Sequence, residues 1–182
     1  LLPEEAEFAE SSWRLAATSA ADFAEGMATF GLHKQIVNRV LEPFQWMHTI
    51  VTATEWDNFF DLRDHVDAQP EIAALARSMR TAMQLSKPVE RYIHAPYTTE
   101  EDRQLYNQRM LCLVSAARCA RVSYLNHDGS EPNRPRDLEL ASKLMTARHM
   151  SPFEHQANYF SDMTRSRNFV GWLQFREAME LH

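Results

Sequence analysis

The stretch TTEEDRQLYNQRMLCLVSAARCAR, residues 98–121, decides the fold class of this chain. Thr98 stands three residues before Glu101, which is the spacing of a capping box at the start of a helix. We therefore predict one long helix that begins at this box and ends near Arg121. A helix of this length indicates a fold in which helices dominate.

Further helices are predicted on both sides of this stretch, from capping residues and from apolar residues at helical spacing. Their predicted starts are Pro3, the neighbourhood of Ile36, Thr54, Pro70 and Asp137. Gly31 is expected to end the first of them. Thr54 and Asp57 form a variant of the capping box.

Only two short segments have the composition of strands. Thr49–Thr52 is β-branched throughout, and Phe153–Phe160 alternates between two sets of side chains. Lys87–Pro96 is predicted to be an extended connection, and Asn126–Pro135 a polar loop. The predicted fold class is therefore α+β, helix-rich with a small antiparallel or mixed sheet.

Length and composition narrow the function classes. A chain of 182 residues has the size of one domain, and its 4 glycines argue against a glycine-rich nucleotide loop. The net charge of -6 argues against binding to duplex nucleic acid. No apolar run reaches the roughly 20 residues of a membrane span, so no membrane partner is expected.

The two cysteines are predicted to be reduced. On a helix Cys112 and Cys119 lie about 10 Å apart along the axis, which is too far for a disulfide. Reduced thiols are typical of a cytoplasmic protein, and we expect both side chains to be small buried apolar groups. The histidines and cysteines have no zinc-site spacing, so no metal is predicted.

Two segments carry polar groups that suit a binding site. Polar residues surround a predicted strand-to-helix turn, where they either hold an anion or form an ordinary charged surface: Thr52, Thr54, Glu55, Asn58 and Arg63. In the second segment, Glu154 and His155 would point to opposite faces of a strand and form no dyad. His155 is either a ligand-binding group or a histidine that packs and hydrogen-bonds.

Other basic residues have a weaker pattern. Gln35 and Arg39 share one helix face, which by itself is typical of a solvated surface. Arg165, Arg167 and Arg176 form a local basic cluster that suits a small anion.

Five segments together resemble the flavin-dependent thymidylate synthases. They are KQIVNRVLEP (34–43), TATEWDNFFDLR (52–63), DAQPEI (67–72), ARVSY (120–124) and HMSPFEH (149–155). In the common form of that family the last two precede the others. The exchanged order resembles the longer, rearranged phage-type branch, whose R-H-R-x-x-S signature lies near the N-terminus. We expect that motif upstream of Leu1. Residues 1–182 would then be a single domain that forms the C-terminal part of a longer chain. We expect this part to be inactive alone.

The resemblance implies reductive methylation of dUMP to dTMP. Methylenetetrahydrofolate supplies the carbon, reduced FAD the hydride, and NADPH reduces the flavin. It implies that Arg39 and Arg63 bind dUMP. It also implies that four residues line the FAD: Ser123, His155, Asn58 and Thr54. The family uses no enzyme nucleophile and forms homotetramers with active sites between subunits. Gln35 stands where the common form has Glu.

Two other functions are compatible with the same residues. The first is a flavin- and folate-dependent hydroxymethyltransferase that acts on a pyrimidine nucleotide. The second is a non-catalytic nucleotide-binding helical assembly module, which would follow if the signature motif does not exist upstream.

Overall fold

The computed structural model describes residues 2–122, 133–162 and 165–180. It divides the chain into two compact units, Leu1–Met47 and His48–His182, and each is described by itself. The prediction of a single domain stays a prediction.

The first unit consists of one long helix and a set of short turns. α1 spans Pro3–Thr29 and begins at a proline, whose missing N–H needs no partner in the first turn. It ends before Gly31, which has a φ of 81° and so confirms the predicted stop. α2 (Lys34–Val37) continues into a 3-10 turn, Asn38–Val40, and both contact α1.

The second unit is a helical layer with one small sheet. In chain order its elements are α3 (Asp57–Arg63), α4 (Pro70–Leu85), β1 (Ile93–His94), α5 (Glu100–Leu105), α6 (Gln108–Ala120), α7 (Arg134–Thr146), β2 (Ala157–Tyr159), β3 (Trp172–Gln174) and α8 (Phe175–Glu180). The strands form one antiparallel sheet in the order β1-β2-β3. A helix-rich α+β fold with a small antiparallel sheet is thereby confirmed. No helix among the described residues is long and apolar enough to cross a membrane.

The core of the second unit lies between α6, α7, α8 and a 3-10 turn, Ser151–Glu154. Cys112, Ala116, Phe153 and Phe175 are buried at its centre. Both cysteines are free and buried, as predicted, and burial raises the pKa of the Cys112 thiol to about 12. Burial also raises the pKa of the Cys119 thiol to about 11, so neither thiol is a ready nucleophile at neutral pH.

The long helix predicted over residues 98–121 is wrong, because it is two helices, α5 and α6. Tyr106 and Asn107 are extended, and Asn107 Oδ1 accepts a hydrogen bond from the Met110 amide at 3.0 Å, which caps α6. The capping box also lies one residue later than predicted, at Thr99 and Asp102. The Thr98 hydroxyl instead donates to the Ala95 carbonyl at 2.7 Å.

Three further boundaries differ from the prediction. Thr49–Thr52 is not a strand, and α3 begins at Asp57 rather than at Thr54. The cap of α7 is Asn133, whose side chain accepts from the Arg136 amide, and Asp137 instead lies fully buried within the first turn. Of the strand predicted over 153–160, only β2 forms, because Phe153 and Glu154 belong to the 3-10 turn Ser151–Glu154.

Arg118 of α6 joins the three helices α5, α6 and α7 through two fully buried carboxylates. Its Nη1 donates to Asp102 Oδ2 at 2.6 Å, and its Nε donates to Asp137 Oδ2 at 2.9 Å. Arg134 pairs with Asp102, and Arg121 with Asp137. Burial would raise the pKa of the Asp102 carboxyl, but hydrogen bonds from Arg118 and Arg134 hold that pKa well below its usual range.

Arg118→Gln is expected to lower the free energy of unfolding by about 3–5 kcal/mol, because it leaves buried carboxylates short of a cation. Urea unfolding measures the change. The matched control is Arg77→Gln, which breaks an exposed ion pair to Asp64 and should cost under about 1 kcal/mol. A loss for Arg118→Gln no larger than that of the control would contradict the assigned role.

Candidate functional site

The backbone from Thr52 to Thr54 lies beside the turn that precedes β3. The Thr54 amide donates to the Asn168 carbonyl at 3.2 Å, and the Val170 amide donates to the Thr54 hydroxyl oxygen at 2.8 Å. The Asn168 side-chain amide also donates to the Thr52 carbonyl. These contacts explain why Thr54 caps no helix. Its hydroxyl oxygen accepts a hydrogen bond from the Val170 amide instead of one from a helical amide.

His155 closes the other side of the site. It follows the 3-10 turn Ser151–Glu154 and comes directly before the buried Gln156 that leads into β2. Its Nδ1 lies 3.1 Å from the Thr52 hydroxyl oxygen, across 103 residues of sequence. This hydrogen bond fixes the ring and leaves Nε2 as the second polar atom of the imidazole.

His94 of β1 brings a second imidazole to the same place. Its ring centroid lies 6.4 Å from that of Phe169. Loss of water around the ring lowers the pKa of His94, and the Arg103 charge and His155 lower it further. Burial also lowers the pKa of His155, although the Glu154 carboxylate opposes this shift. Both rings are therefore neutral at and above neutral pH.

A recess of about 140 Å³ opens between these segments. Its lining consists of two threonines, one alanine and three aromatic rings: Thr52, Thr54, Ala53, His94, Phe169 and Trp172. A volume of this size suits one ring and is smaller than the 300–1,000 Å³ typical of whole-ligand pockets. The recess can therefore hold an edge of a larger ligand through hydrogen bonds and aromatic contact.

Glu154 takes no part in a dyad with His155. Its carboxylate pairs with Arg176, and its carbonyl accepts from the Gln174 side-chain amide at 3.0 Å. The prediction that the two side chains act separately agrees with this geometry, although they lie on a turn rather than on a strand.

The basic cluster predicted for a small anion is already neutralised. Arg165 pairs with Glu55, and both Arg167 and Arg176 pair with Glu180. A ligand anion there would have to displace a carboxylate of the protein. Negative charge also opposes anion binding at the predicted strand-to-helix turn. There, α3 has an acidic residue, Asp57, in its first turn.

The residues predicted for FAD and dUMP are placed differently by the structure. Thr54 lines the recess and His155 bonds its wall, while Asn58 and Arg63 lie exposed on α3 and are not among the described lining residues. Arg39 is exposed in the 3-10 turn of the first unit. Ser123 lies outside the described residues.

Three lining residues, His94, Phe169 and Trp172, were not predicted from the sequence. A lone histidine in an extended segment and two aromatic residues near a turn have no motif spacing. The available signal was the extended character of residues 87–96, which contains β1. In the part of the chain that the structure describes, no group of three or more histidine, cysteine, aspartate or glutamate side chains could hold a metal ion.

Comparison with known proteins adds nothing to this geometry. No protein-family model, curated protein or solved structure matches the chain.

The free energy of unfolding is expected to fall in acid partly through His155. Since its pKa is lower in the folded than in the unfolded protein, this contribution is complete above about pH 6.5 and is lost as the pH falls through the folded-state pKa. His155→Gln should therefore reduce the slope of the free energy of unfolding against pH between pH 7 and pH 5, by at most about 1.4 kcal/mol per pH unit.

Urea unfolding at several pH values measures this slope. The control is His48→Gln, which removes an exposed histidine whose ring loses little water on folding. An equal slope in wild type and His155→Gln would refute the role of the His155 imidazole.

Proposed function

We propose that the chain is part of a flavin-dependent thymidylate synthase that methylates dUMP to dTMP. One observation carries the proposal: the segments that resemble the family at 52–63 and 149–155 meet through the hydrogen bond between Thr52 and His155. The contact brings the second segment directly beside the recess that the first one lines. The exchanged order of the segments along the chain is compatible with their meeting in space.

The recess fits part of a flavin but not all of it. The neutral imidazole of His94 and the threonine hydroxyls suit the polar edge of a planar ring, and Trp172 suits its face. The volume of about 140 Å³ excludes a whole dinucleotide. The proposal therefore requires walls from other chains, in keeping with the homotetramer that the resemblance implies.

When bound, reduced FAD supplies the hydride, methylenetetrahydrofolate the carbon, and NADPH the electrons that reduce the flavin. The contribution of this chain is positioning. The Thr52 hydroxyl orients His155, whose Nε2 would then hydrogen-bond a ring carbonyl or ring nitrogen of the ligand. A donor fixed in advance stabilises developing charge without reorganisation at the moment of reaction.

The proposal assigns the nucleotide phosphate to arginines. Arg63 is exposed at the end of α3, and no carboxylate of the described residues pairs with it. A guanidinium that is free in this way can bind a phosphate through two parallel hydrogen bonds. Arg39 is the second candidate and is exposed as well.

The decisive experiment uses the whole gene product. We expect it to bind FAD, with an absorption band near 450 nm (roughly the position for flavins in general). With methylenetetrahydrofolate and NADPH it should convert dUMP to dTMP, identified by mass spectrometry. A hydroxymethyl product would favour the alternative transferase. Failure to take up FAD, or a coding sequence without the signature upstream of Leu1, would overturn the proposal and favour a non-catalytic module.

Arg63→Gln is expected to raise the Kd for dUMP by about tenfold or more, because a charge-assisted hydrogen bond to phosphate is lost. Isothermal titration calorimetry on the whole gene product measures it. Arg77→Gln removes the same charge one helix away and should leave the Kd unchanged. If both variants bind dUMP as wild type does, Arg63 is not in the nucleotide site.

A further inference from the structure

A second cleft, larger than the recess beside His155, lies on the second unit. Its volume is about 780 Å³, within the range typical of small-molecule sites. Four elements line it, namely the start of α6, the end of α7, β2 and α8. The lining includes Arg109, Met145, Asn158, Phe175, Ala178 and Met179. No residue of this lining belongs to the recess.

One wall of the cleft is apolar and continuous with the core. Phe175 is buried in the core cluster, and Met145 and Met179 pack against that cluster while still reaching the cleft. Methionine side chains are flexible and polarisable, and they adapt to flat or irregular apolar ligands. An aromatic body is therefore well suited to this wall.

Asn158, which lines the same cleft, has a side-chain acceptor without a donor. Asn158 Oδ1 is buried, and no donor among residues 2–122, 133–162 and 165–180 reaches it. The Asn158 backbone lies in the middle of β2 and pairs with both neighbouring strands, which fixes the position of its Cα beside the cleft. A buried acceptor left unpaired is unfavourable, so turning the side chain towards the cleft, where a ligand N–H or O–H would satisfy it, is favourable.

Arg109 is the only charged side chain in the described lining. It is exposed, and no ion pair within the described part of the chain includes it. Nearby Asn107 already uses its Oδ1 to cap α6. The cleft therefore combines a free guanidinium, an apolar wall and an unpaired acceptor, and the ligand that complements all three has an anion, an aromatic body and a donor.

We propose that this cleft binds a small aromatic anion that carries an N–H or O–H donor. The anionic group pairs with Arg109, the ring packs on Met145 and Met179, and the donor bonds Asn158 Oδ1. This proposal does not depend on the flavin or on dUMP, because the two sites share no residue.

The probe is 6-amino-2-naphthoate, which has a carboxylate, an aromatic body and an amine donor, and whose binding is measured by calorimetry. We expect saturable binding at one site per chain, with a Kd raised about tenfold by Arg109→Gln. Ala178→Phe should block the cleft. Arg136→Gln, which removes an exposed arginine at the start of α7, is the control and should bind as wild type does.

A second comparison isolates the acceptor. 2-Naphthoate, which lacks the amine, should bind several-fold more weakly, and Asn158→Leu should abolish the difference between the two probes. 2-Naphthyl phosphate in place of the carboxylate shows which anion the site prefers. Circular dichroism and thermal unfolding establish that each variant is folded. Equal Kd values for Arg109→Gln and Arg136→Gln, or binding that does not saturate, would overturn the proposal.

Discussion

The buried guanidinium of Arg118 is the contact on which the second unit depends. It bonds the carboxylates of Asp102 and Asp137, and its Nη1 also donates to the Tyr97 carbonyl at 2.8 Å. One side chain of α6 thus fixes α5, α7 and the chain that leads from β1. Buried charges are stabilising only as a complete set, because removal of any member leaves another uncompensated. The network therefore fixes the positions of α5, α6 and α7 relative to one another.

The position of the sheet depends on further contacts from α5 and α6, the helices that Arg118 joins. Their side chains hold β1 and the segment after it: Arg103 donates to the Ile93 and Ala95 carbonyls, and Ser115 donates to the Pro96 carbonyl at 2.7 Å. β1 pairs with β2, which begins two residues after His155. The imidazole that meets Thr52 is therefore positioned by contacts that begin in α6, well away from the recess.

Local sequence signals predicted the elements better than their ends. Pro70 begins α4 and Gly31 follows α1, as predicted. These predictions succeed because proline and glycine act on the backbone within a few bonds of themselves. The break at Asn107 and the inward turn of Asp137 depend on partners distant in sequence, and a capping pattern does not contain that information. The site residues show the same difference. His155 was predicted from the resemblance, whereas the place of His94 depends on the pairing of β1 with β2, which no local pattern contains.

The central claim is that two segments separated by most of the second unit meet through Thr52 and His155. A double-mutant cycle with Thr52→Val and His155→Phe tests it most directly, because it isolates the energy of that one contact. From the free energies of unfolding of the four proteins, the account predicts a coupling energy of at least about 0.5 kcal/mol. Additive effects, within about 0.3 kcal/mol, would contradict it.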